Sequence, residues 1–435
     1  MTRTKIVAVV FILLISLVLR FHNYAIYPQR GATSDEYTYA FLGVSLLKDQ
    51  IPISWSSFSA YKNREDLTIN NLYFPIVWPY FDHPPLHGLL IGGWAILFGE
   101  DSFTKITLGT IRIVPIILAT VSSILLFLLA ESLYSYKVAI WSLLIYSTTT
   151  IFVMNNRVAV AENLISVFFL SAAYLIHKFP KRINYKKAIL VGSICGLSLL
   201  TKILGIGAFF IALYLLISEK VKKKLIVVFC FAFLLFVGLL LGYAFYYDWD
   251  LFWQIQFLQG VRAIGPQTFL LLTQDPVIVN KVFYDGWYFI GFFSLFFSFF
   301  DYKKNKFIVI PFIIYFLLLL VSMTREGHSG WYMIPIFPFM SIAIGQLLRQ
   351  IIDKASFLFI VFLLFVGMSE IHLLYEVPFG LNQFRFRLLM VLLFVPFLAV
   401  YLTGKKKLIR NFCNIFFYLF IIGNFVITFY YVHPS

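Results

Sequence analysis

The sequence predicts an all-α polytopic membrane protein. Hydrophobic residues make up 61% of the chain and charged residues only 13%, whereas a soluble domain has roughly 25% charged residues. The mean hydropathy is +0.87. Apolar runs long enough to cross a bilayer recur along the whole length. We therefore expect the 435 residues to be used in membrane spans rather than in soluble domains.

Apolar runs of about 17–25 residues, with some shorter broken ones, indicate about thirteen transmembrane helices. The first run follows Arg3 and Lys5 and lacks a small-residue cleavage site, so we interpret it as an uncleaved span. The run Leu86–Gly99 is short and predicts a re-entrant or interfacial helix. The predicted spans are 5–21, 106–130, 137–154, 158–177, 187–200, 203–218, 224–246, 287–300, 306–323, 332–348, 355–375, 388–403 and 411–431.

The distribution of charge predicts the orientation. The seven connections assigned to the inside carry 21 of the 35 Lys and Arg residues and only four of the 20 acids. Basic residues accumulate on the inner side of a membrane protein, so we expect the N-terminus inside and the C-terminus outside. The net charge of +15 is then a topology signal that needs no nucleic acid, although contact with anionic lipid headgroups is expected.

Long segments occur only on the predicted outer face. Segment 22–105 interleaves aromatic with charged residues, which favours helices lying in the interface plane. Segment 247–286 is rich in amide and aromatic side chains and could cover a site as a lid. Long loops usually have a functional reason, so we expect the chemistry outside. The three cysteines, Cys195, Cys230 and Cys413, lie in apolar runs and predict neither a disulfide nor a redox role.

Ionisable residues gather on that same outer side. Each has a plain structural interpretation: Asp35-Glu36 could start a helix, the basic residues could anchor at the interface, Asp82-His83 could be an ordinary loop, and Arg157 could pair with Glu162. Their common side favours one shared polar cavity. The candidate residues are Asp35, Glu36, Asp82, His83, Arg157, Glu162, Lys202, Arg325 and Tyr332.

The order of these motifs resembles a known family. After the Asp35-Glu36 pair come His83-Pro84-Pro85-Leu86, Gly99 and Arg112, Arg157 with Glu162, Leu200-Thr201-Lys202, and Trp331-Tyr332 followed by Pro335 and Pro338. This resembles the GT-C glycosyltransferases of the protein mannosyltransferase and aminoarabinose (lipid A) transferase type, including the RgtA/B/C/D-like group. The resemblance covers most of residues 1–350, the implied catalytic module. Residues 351–435 align with no motif.

The resemblance implies catalysis outside the cytoplasmic membrane, with a polyprenyl-phosphate sugar as the donor and a lipid, glycan or protein as the acceptor. The family's catalytic carboxylate maps onto Asp35, beside Glu36. Its acidic-then-basic pair maps onto Asp82-His83, where relatives often have Lys instead of His83. Its next outer acid maps onto Glu162, where relatives often have Asp. Lys202 and Tyr332 match positions near the donor phosphate.

The residues themselves suit that chemistry. Glycosyl transfer needs a carboxylate to take the acceptor's proton and cations to stabilise the departing phosphate. We predict Asp35 as the base, Glu36 as its orienting or acceptor-binding neighbour, and His83, Arg157, Lys202 and Arg325 as phosphate-binding candidates. The chain has no GxxxxGK[ST] or GxGxxG motif, which favours a donor that is not a nucleotide.

Other interpretations stay open at this stage. No cofactor is required, and a divalent metal could be held by Asp35, Asp82, His83 or Glu162, although no spacing demands one. A secondary transporter would show repeats and mid-span charges, whereas the charges here lie at outer ends of spans. A non-catalytic lipid-binding or polysaccharide-export component is the remaining alternative.

Overall fold

The chain forms an α-helical bundle with a small β-sheet at one end. A computed structural model describes residues 3–29, 34–69, 72–179, 183–261, 277–278, 281–282, 284–322, 330–376, 380 and 382–430. The helices of the first half are α1 (Arg3–Phe21), α2 (Asp35–Lys48), α3 (Leu86–Leu97), α4 (Leu108–Ile111), α5 (Ile113–Leu133), α6 (Tyr136–Thr148), α7 (Thr150–Asn155), α8 (Glu162–Lys178) and α9 (Tyr185–Thr201).

Helices also make up the second half. A 3-10 turn over Ile203–Ile206 joins α9 to the next helix, and a second over Phe299–Asp301 joins the two helices that flank it. These helices are α10 (Gly207–Ser218), α11 (Lys223–Tyr247), α12 (Trp249–Gly260), α13 (Gly286–Ser298), α14 (Tyr302–Ser322), α15 (Phe337–Asp353), α16 (Phe359–Tyr375), α17 (Gln383–Leu402) and α18 (Lys406–Tyr430). A 3-10 helix, Gly330–Ile336, leads into α15.

Seven described helical stretches are long and apolar enough to cross a membrane, by length and composition alone. The polytopic membrane class is confirmed, whereas the predicted count of about thirteen spans and the predicted orientation stay predictions. The span predicted at 137–154 is two helices, α6 and α7. The two short runs around Lys202 are separate helices, α9 and α10, as predicted, and each is shorter than the seven long stretches.

The first outer segment, for which interfacial helices were predicted, contains a β-sheet in addition to α2 and α3. Three strands, β1 (Ser54–Trp55), β2 (Asn63–Ile69) and β3 (Leu72–Trp78), form an antiparallel sheet in the order β1-β3-β2. The hairpin pairs Asn63 with Trp78 and closes between Ile69 and Leu72. The physical reason is that β3 consists mostly of aromatic and branched apolar residues, which favour strands, and that Pro75 disfavours a helix interior. Two further short strands, β4 (Val277–Ile278) and β5 (Lys281–Val282), pair with each other.

The core is one continuous apolar cluster with two satellites. The main cluster runs from α5 to α18 and includes buried side chains such as Trp141, Trp287 and Phe417. One satellite packs α2 and α3 against α4 and the loop at Ala159. The other joins the sheet and the Phe81 loop to α11 and α12. The satellites therefore attach the first outer segment to the bundle at one end.

Helices α2 and α3 cross in close contact, and both helices carry glycines at the crossing. A Cβ added at Gly43 would lie 1.8 Å from the Gly88 carbonyl oxygen, and one added at Gly92 would lie 2.4 Å from the Val44 nitrogen. Only glycine permits this backbone approach. The crossing sets the distance between the residues carried by α2 and those carried by the start of α3.

Candidate active site

Asp35 and Glu36 begin α2, as the helix-start interpretation predicted. Consecutive helical residues point about 100° apart, and the two carboxylates have different surroundings. Glu36 is fully buried, and its two oxygens accept hydrogen bonds from Arg112 Nε at 2.8 Å and Nη2 at 2.7 Å. Glu36 Oε1 also accepts one from the Ala159 nitrogen at 2.9 Å. Glu36 is thus fixed by the protein itself.

Asp35 is half-buried and lies on a different side of α2. It is close enough to interact electrostatically with Lys202, Tyr39 and Tyr80. Lys202 stands 167 residues further along the chain, so the predicted convergence of the outer segments occurs at this position. Of the two neighbouring carboxylates, Asp35 is the one that faces the other ionisable groups.

Glu162 and Lys202 form a buried ion pair. Lys202 Nζ lies 2.6 Å from Glu162 Oε1, and both side chains are almost completely buried. Glu162 is the first residue of α8, where the positive end of the helix dipole stabilises a carboxylate. The helix in the predicted span 158–177 therefore begins at Glu162, which sits at the helix start. Glu162 Oε2 has no hydrogen-bond partner in the described chain.

Lys202 occupies the break between α9 and α10. Its backbone is extended (φ −162°, ψ 148°), and the 3-10 turn begins at the next residue. Gly205 makes the turn possible, because an added Cβ would lie 1.9 Å from the Ser198 carbonyl oxygen. The ammonium group lies 4.4 Å from the centre of the Tyr332 ring, a cation–π contact. Tyr332 thus joins the cluster, as predicted.

Tyr39 was missed by the sequence reasoning. It lies one helical turn after Asp35, so both residues share a face of α2. Its ring stacks on His83 with centroids 4.9 Å apart and meets His87 edge-on at 4.8 Å. The hydroxyl group is buried and has no hydrogen-bond partner among the described residues. The i+4 spacing from Asp35 was the signal that could have identified it.

The two histidines differ from simple phosphate-binding cations. His83 stacks on Tyr39, so its ring forms part of the wall of the cluster. His87 is fully buried on α3, and desolvation lowers its pKa to about 3. His87 is therefore neutral near pH 7. Lys202 supplies a positive charge beside them.

Asp82 is held by the sheet region. Its two oxygens accept hydrogen bonds from Ser56 Oγ and the Tyr61 hydroxyl, each at 2.7 Å. Burial, and then the Asp82 charge, raise the pKa of Tyr61, so this phenol stays a proton donor. On the other side, α12 donates from Gln256 to the Phe81 carbonyl at 3.0 Å and from Gln259 to the Asp82 carbonyl at 2.8 Å. The first helix of the predicted lid segment therefore holds the loop that carries His83.

Arg157 supports the backbone near α1. Its guanidinium donates to the Leu19 carbonyl at 2.5 Å and to the Tyr27 carbonyl at 3.1 Å. It does not pair with Glu162, whose partner is Lys202. Arg112 likewise donates hydrogen bonds to two backbone carbonyl oxygens, that of Tyr24 at 2.9 Å and that of Pro28 at 2.6 Å.

The remaining predictions concern Arg325 and a metal. Arg325 lies outside the described residues. No group of three or more His, Cys, Asp or Glu side chains in the described part of the chain is arranged to hold a metal ion. The cluster that the structure does bring together consists of Asp35, Tyr39, His83, Glu162, Lys202 and Tyr332, which we call the Lys202 cluster.

Comparisons with known proteins agree with this fold. The structure of ArnT from Cupriavidus metallidurans bound to undecaprenyl phosphate superimposes with a TM-score of 0.59 at 14% identity, covering 98% of this chain and 77% of that one. The archaeal oligosaccharyltransferase AglB from Archaeoglobus fulgidus, in complex with an inhibitory peptide and a dolichol-phosphate, gives 0.51 at 12% identity, covering 100% and 56%. At these identities the likeness shows the fold. No curated protein sequence matches the chain significantly.

The fold is that of a polytopic α-helical membrane protein, similar to the fold of ArnT. Residues 82–243, less than half of the chain, match the family described as dolichyl-phosphate-mannose-protein mannosyltransferase. Over these residues the match confirms the resemblance predicted from the sequence. The matched residues include His83, Arg157, Glu162 and Lys202.

Proposed function

We propose that this protein transfers a sugar from a polyprenyl-phosphate donor to a lipid, glycan or protein acceptor on the outer face of the cytoplasmic membrane. Asp35 is the general base. The observation that carries the proposal is the Lys202 cluster, which brings one half-buried carboxylate within electrostatic range of one buried lysine. Those are the two charges that the reaction needs.

The cluster suits the phosphate of such a donor. Lys202 offers a cation, and the unpartnered Tyr39 hydroxyl beside it offers a neutral hydrogen-bond donor. When the phosphate binds, Lys202 can exchange its contact with Glu162 Oε1 for one with a phosphate oxygen. Glu162 then has two acceptor oxygens for sugar hydroxyl groups. Charge-assisted hydrogen bonds of this kind are stronger than those between neutral groups.

An apolar groove suits the lipid chain. It has a volume of about 500 Å³ and lies between residues 210–217 of α10 and 314–321 of α14. Several of its side chains are exposed at the surface, including Ile217 and Leu317. A Cβ on Gly207, at the start of α10, would touch Leu318 and Tyr315, and Tyr315 interacts electrostatically with Glu162 and Lys202. The groove therefore starts beside the cluster, so a lipid phosphate held there can extend its chain along α10 and α14.

The proposed reaction is a single displacement. The acceptor's O–H loses its proton to Asp35 as its oxygen attacks C1 of the sugar. The bond from C1 to the phosphate oxygen breaks, and Lys202 stabilises the negative charge that develops on the polyprenyl phosphate. One displacement inverts the anomeric configuration. In this scheme Glu36 and Arg112 are positioning residues that hold the start of α2.

The test is transfer of a labelled sugar from polyprenyl phosphate in membranes that contain the wild type, Asp35→Asn, Glu162→Gln or the matched control Glu65→Gln. Glu65 is exposed on β2 in the same outer segment. We expect transfer to fall at least about 100-fold for Asp35→Asn, since general-base catalysis contributes 10²–10⁴-fold, and to persist for Glu65→Gln. Full activity of a folded Asp35→Asn enzyme would show that Asp35 is not the base.

A second measurement addresses the donor. Mass spectrometry of lipid that co-purifies with the protein should find polyprenyl phosphate in the wild type and less of it in Lys202→Gln. Lipid-dependent exchange of a soluble solute, with no sugar transfer, would instead support the transporter interpretation.

A further inference from the structure

Helix α12 presents a row of aromatic side chains at the surface of the protein. Trp249, Trp253 and Phe257 are 40%, 49% and 68% exposed. They follow one another at intervals of four residues, so they share one face of the helix, which we call the aromatic face of α12. Asp250 and Gln254 are also exposed, and each is rotated by about 100° from the tryptophan that precedes it. The exposed side of α12 is therefore divided into an aromatic part and a polar part.

The aromatic face continues the exposed surface of a membrane-spanning helix. Helix α11 is long and apolar enough to cross a membrane, and near its end Phe245 and Tyr246 are both 78% exposed. Asp248 has extended backbone (φ −169°, ψ 102°), which ends α11, and its side chain accepts from the Leu251 nitrogen at 2.9 Å, which starts α12. The lipid that surrounds the end of α11 is therefore adjacent to the start of α12.

The composition of α12 suits the boundary between lipid and water. Tryptophan and tyrosine are enriched at this boundary, and a helix with separate apolar and polar faces can lie in its plane. Residues 249–260 include no Lys or Arg, whereas Asp248 and Asp250 are acidic. Insertion of apolar side chains, rather than attraction to anionic headgroups, is therefore the interaction that this helix can make with a membrane.

The opposite side of α12 packs on the loop that carries His83. Phe252 is buried, and its ring meets that of Phe81 edge-on with centroids 5.6 Å apart. Gln256 and Gln259 donate to the carbonyl groups of this loop at 3.0 and 2.8 Å. One helix thus contacts the loop with one side and presents its aromatic face on the other.

We propose that the aromatic face of α12 inserts into the headgroup layer of the lipid bilayer and that this contact holds the loop at Phe81 and Asp82 in place. The ring of His83, the next residue, stacks on Tyr39 in the Lys202 cluster. The membrane surface therefore supports one wall of that cluster through α12. The partner is the neutral lipid layer itself, so the contact does not require anionic lipid.

The first experiment measures what surrounds the aromatic face. A nitroxide spin label is attached at Phe257→Cys, or at the matched control Gln254→Cys, in a full-length variant that lacks Cys195, Cys230 and Cys413. The protein is placed in phosphatidylcholine nanodiscs that hold one chain each. Collision rates with oxygen, which concentrates in lipid, and with a water-soluble nickel chelate are then measured. We expect position 257 to favour oxygen and position 254 to favour the chelate, with the same result when anionic lipid is added.

The other outcomes overturn the proposal. Equal access of the nickel chelate to both positions would show that the aromatic face lies in water. Little access of either reagent to position 257 would show that protein covers it instead of lipid. A preference for oxygen that appears only with anionic lipid would show that charge, and not apolar insertion, holds the helix.

The second experiment measures the effect on the loop by amide hydrogen exchange. The amides of Tyr80 and Phe81 donate to the Pro52 carbonyl at 2.8 Å and to the Tyr61 hydroxyl at 2.9 Å, so both are protected in the folded loop. Two triple variants replace Trp249, Trp253 and Phe257 in nanodiscs, one with Gln and one with Leu, which have similar helix propensities.

We expect the Gln variant to exchange these amides about fivefold faster or more, because local opening sets the exchange rate of a protected amide. The Leu variant keeps an apolar face and should exchange as the wild type does. Unchanged exchange in the Gln variant, or equal acceleration in both variants, would show that membrane contact does not hold the loop. Neither experiment measures sugar transfer, so the results do not depend on the proposed function.

Discussion

At the scale of single residues, Asp35 and Glu36 show how helix geometry separates adjacent carboxylates. Glu36 forms a bidentate ion pair with Arg112 and also accepts a hydrogen bond from the Ala159 nitrogen. Asp35 instead interacts with Lys202 and Tyr39. A rotation of about 100° between consecutive residues produces this division. The Asp-Glu pair therefore combines a reactive group with the group that holds it in place.

Removing one partner of the Glu36–Arg112 pair should lower the folding stability more than removing both partners. Glu36→Gln or Arg112→Met alone leaves a buried charge without its partner, which costs about 3–5 kcal/mol of folding stability. The double variant removes both charges and should lose less than the sum of the two single losses. Apparent melting temperatures of the three variants and the wild type measure the coupling. Additive losses would show that the pair does not act as a unit.

Tyr39→Phe tests the unpartnered hydroxyl group. The aromatic contacts with His83 and His87 remain, so the fold should be unaffected. We expect the Kd for undecaprenyl phosphate to rise about tenfold, since a hydrogen bond to a charged group contributes about 1.5 kcal/mol or more. Equilibrium binding of the lipid is the measurement. Tyr243→Phe, which removes another buried hydroxyl without a partner in the described chain, is the control and should bind as the wild type does.

At the scale of elements, the crossing of α2 and α3 positions Asp35 and Tyr39 relative to His87. The glycine contact between the two helices has no space for a methyl group. Any displacement of α2 would move Asp35 away from Lys202 and strain the Glu36–Arg112 pair. The geometry of the site therefore depends on the glycines at this crossing, which have no role in the proposed reaction.

Gly92→Ala should destabilise the protein and abolish most transfer activity. The new methyl group would meet the backbone of Gly43 and Val44 at 2.4 Å, and overpacking of this kind typically costs about 1–3 kcal/mol. Gly93→Ala is the matched control, because its methyl group would meet only Leu47 Cδ1, at 3.5 Å. Melting temperature and transfer rate should change for position 92 alone. Equal behaviour of the two variants would contradict the role of the crossing.

The sequence predicted the helical elements better than the elements between them. Apolar runs identify most helices, because burial in a membrane requires them. The sheet over Ser54–Trp78 was missed because its aromatic and charged residues also suit an interfacial helix, although Pro75 within β3 argues against a helix there. The Glu162–Lys202 pair could not be predicted, since nothing in a single chain shows which of Arg157 and Lys202 reaches Glu162.

At the scale of the whole molecule, the Lys202 cluster and the lysine-rich connection between α8 and α9 lie at opposite ends of these two helices. Glu162 and Lys202 meet at one end of α8 and α9, and Lys178 and Tyr185 lie at the other. Seventeen helical residues span about 25 Å. The bundle therefore separates the Lys202 cluster from the lysine-rich connections by most of the thickness of a bilayer.

This separation gives a prediction about orientation. Single cysteines at Lys62 and Lys186, both exposed, are introduced into a variant that lacks Cys195, Cys230 and Cys413. A membrane-impermeant thiol reagent applied to intact cells should label position 62 and leave position 186 unlabelled until the membrane is opened. Labelling of both positions from the same side would refute the predicted orientation and the outer location of the site.

The buried hydrogen bonds of Arg112 have a consequence for biogenesis. The chain leaves the ribosome from its N-terminus, so Glu36 emerges 76 residues before the guanidinium that neutralises it. Until α4 and α5 have been inserted, the carbonyl groups of Tyr24 and Pro28 also lack their donor. The first outer segment can therefore complete these contacts only after α4 and α5 have been inserted. Lys202 arrives later still, so the Lys202 cluster is completed in stages as the chain is inserted.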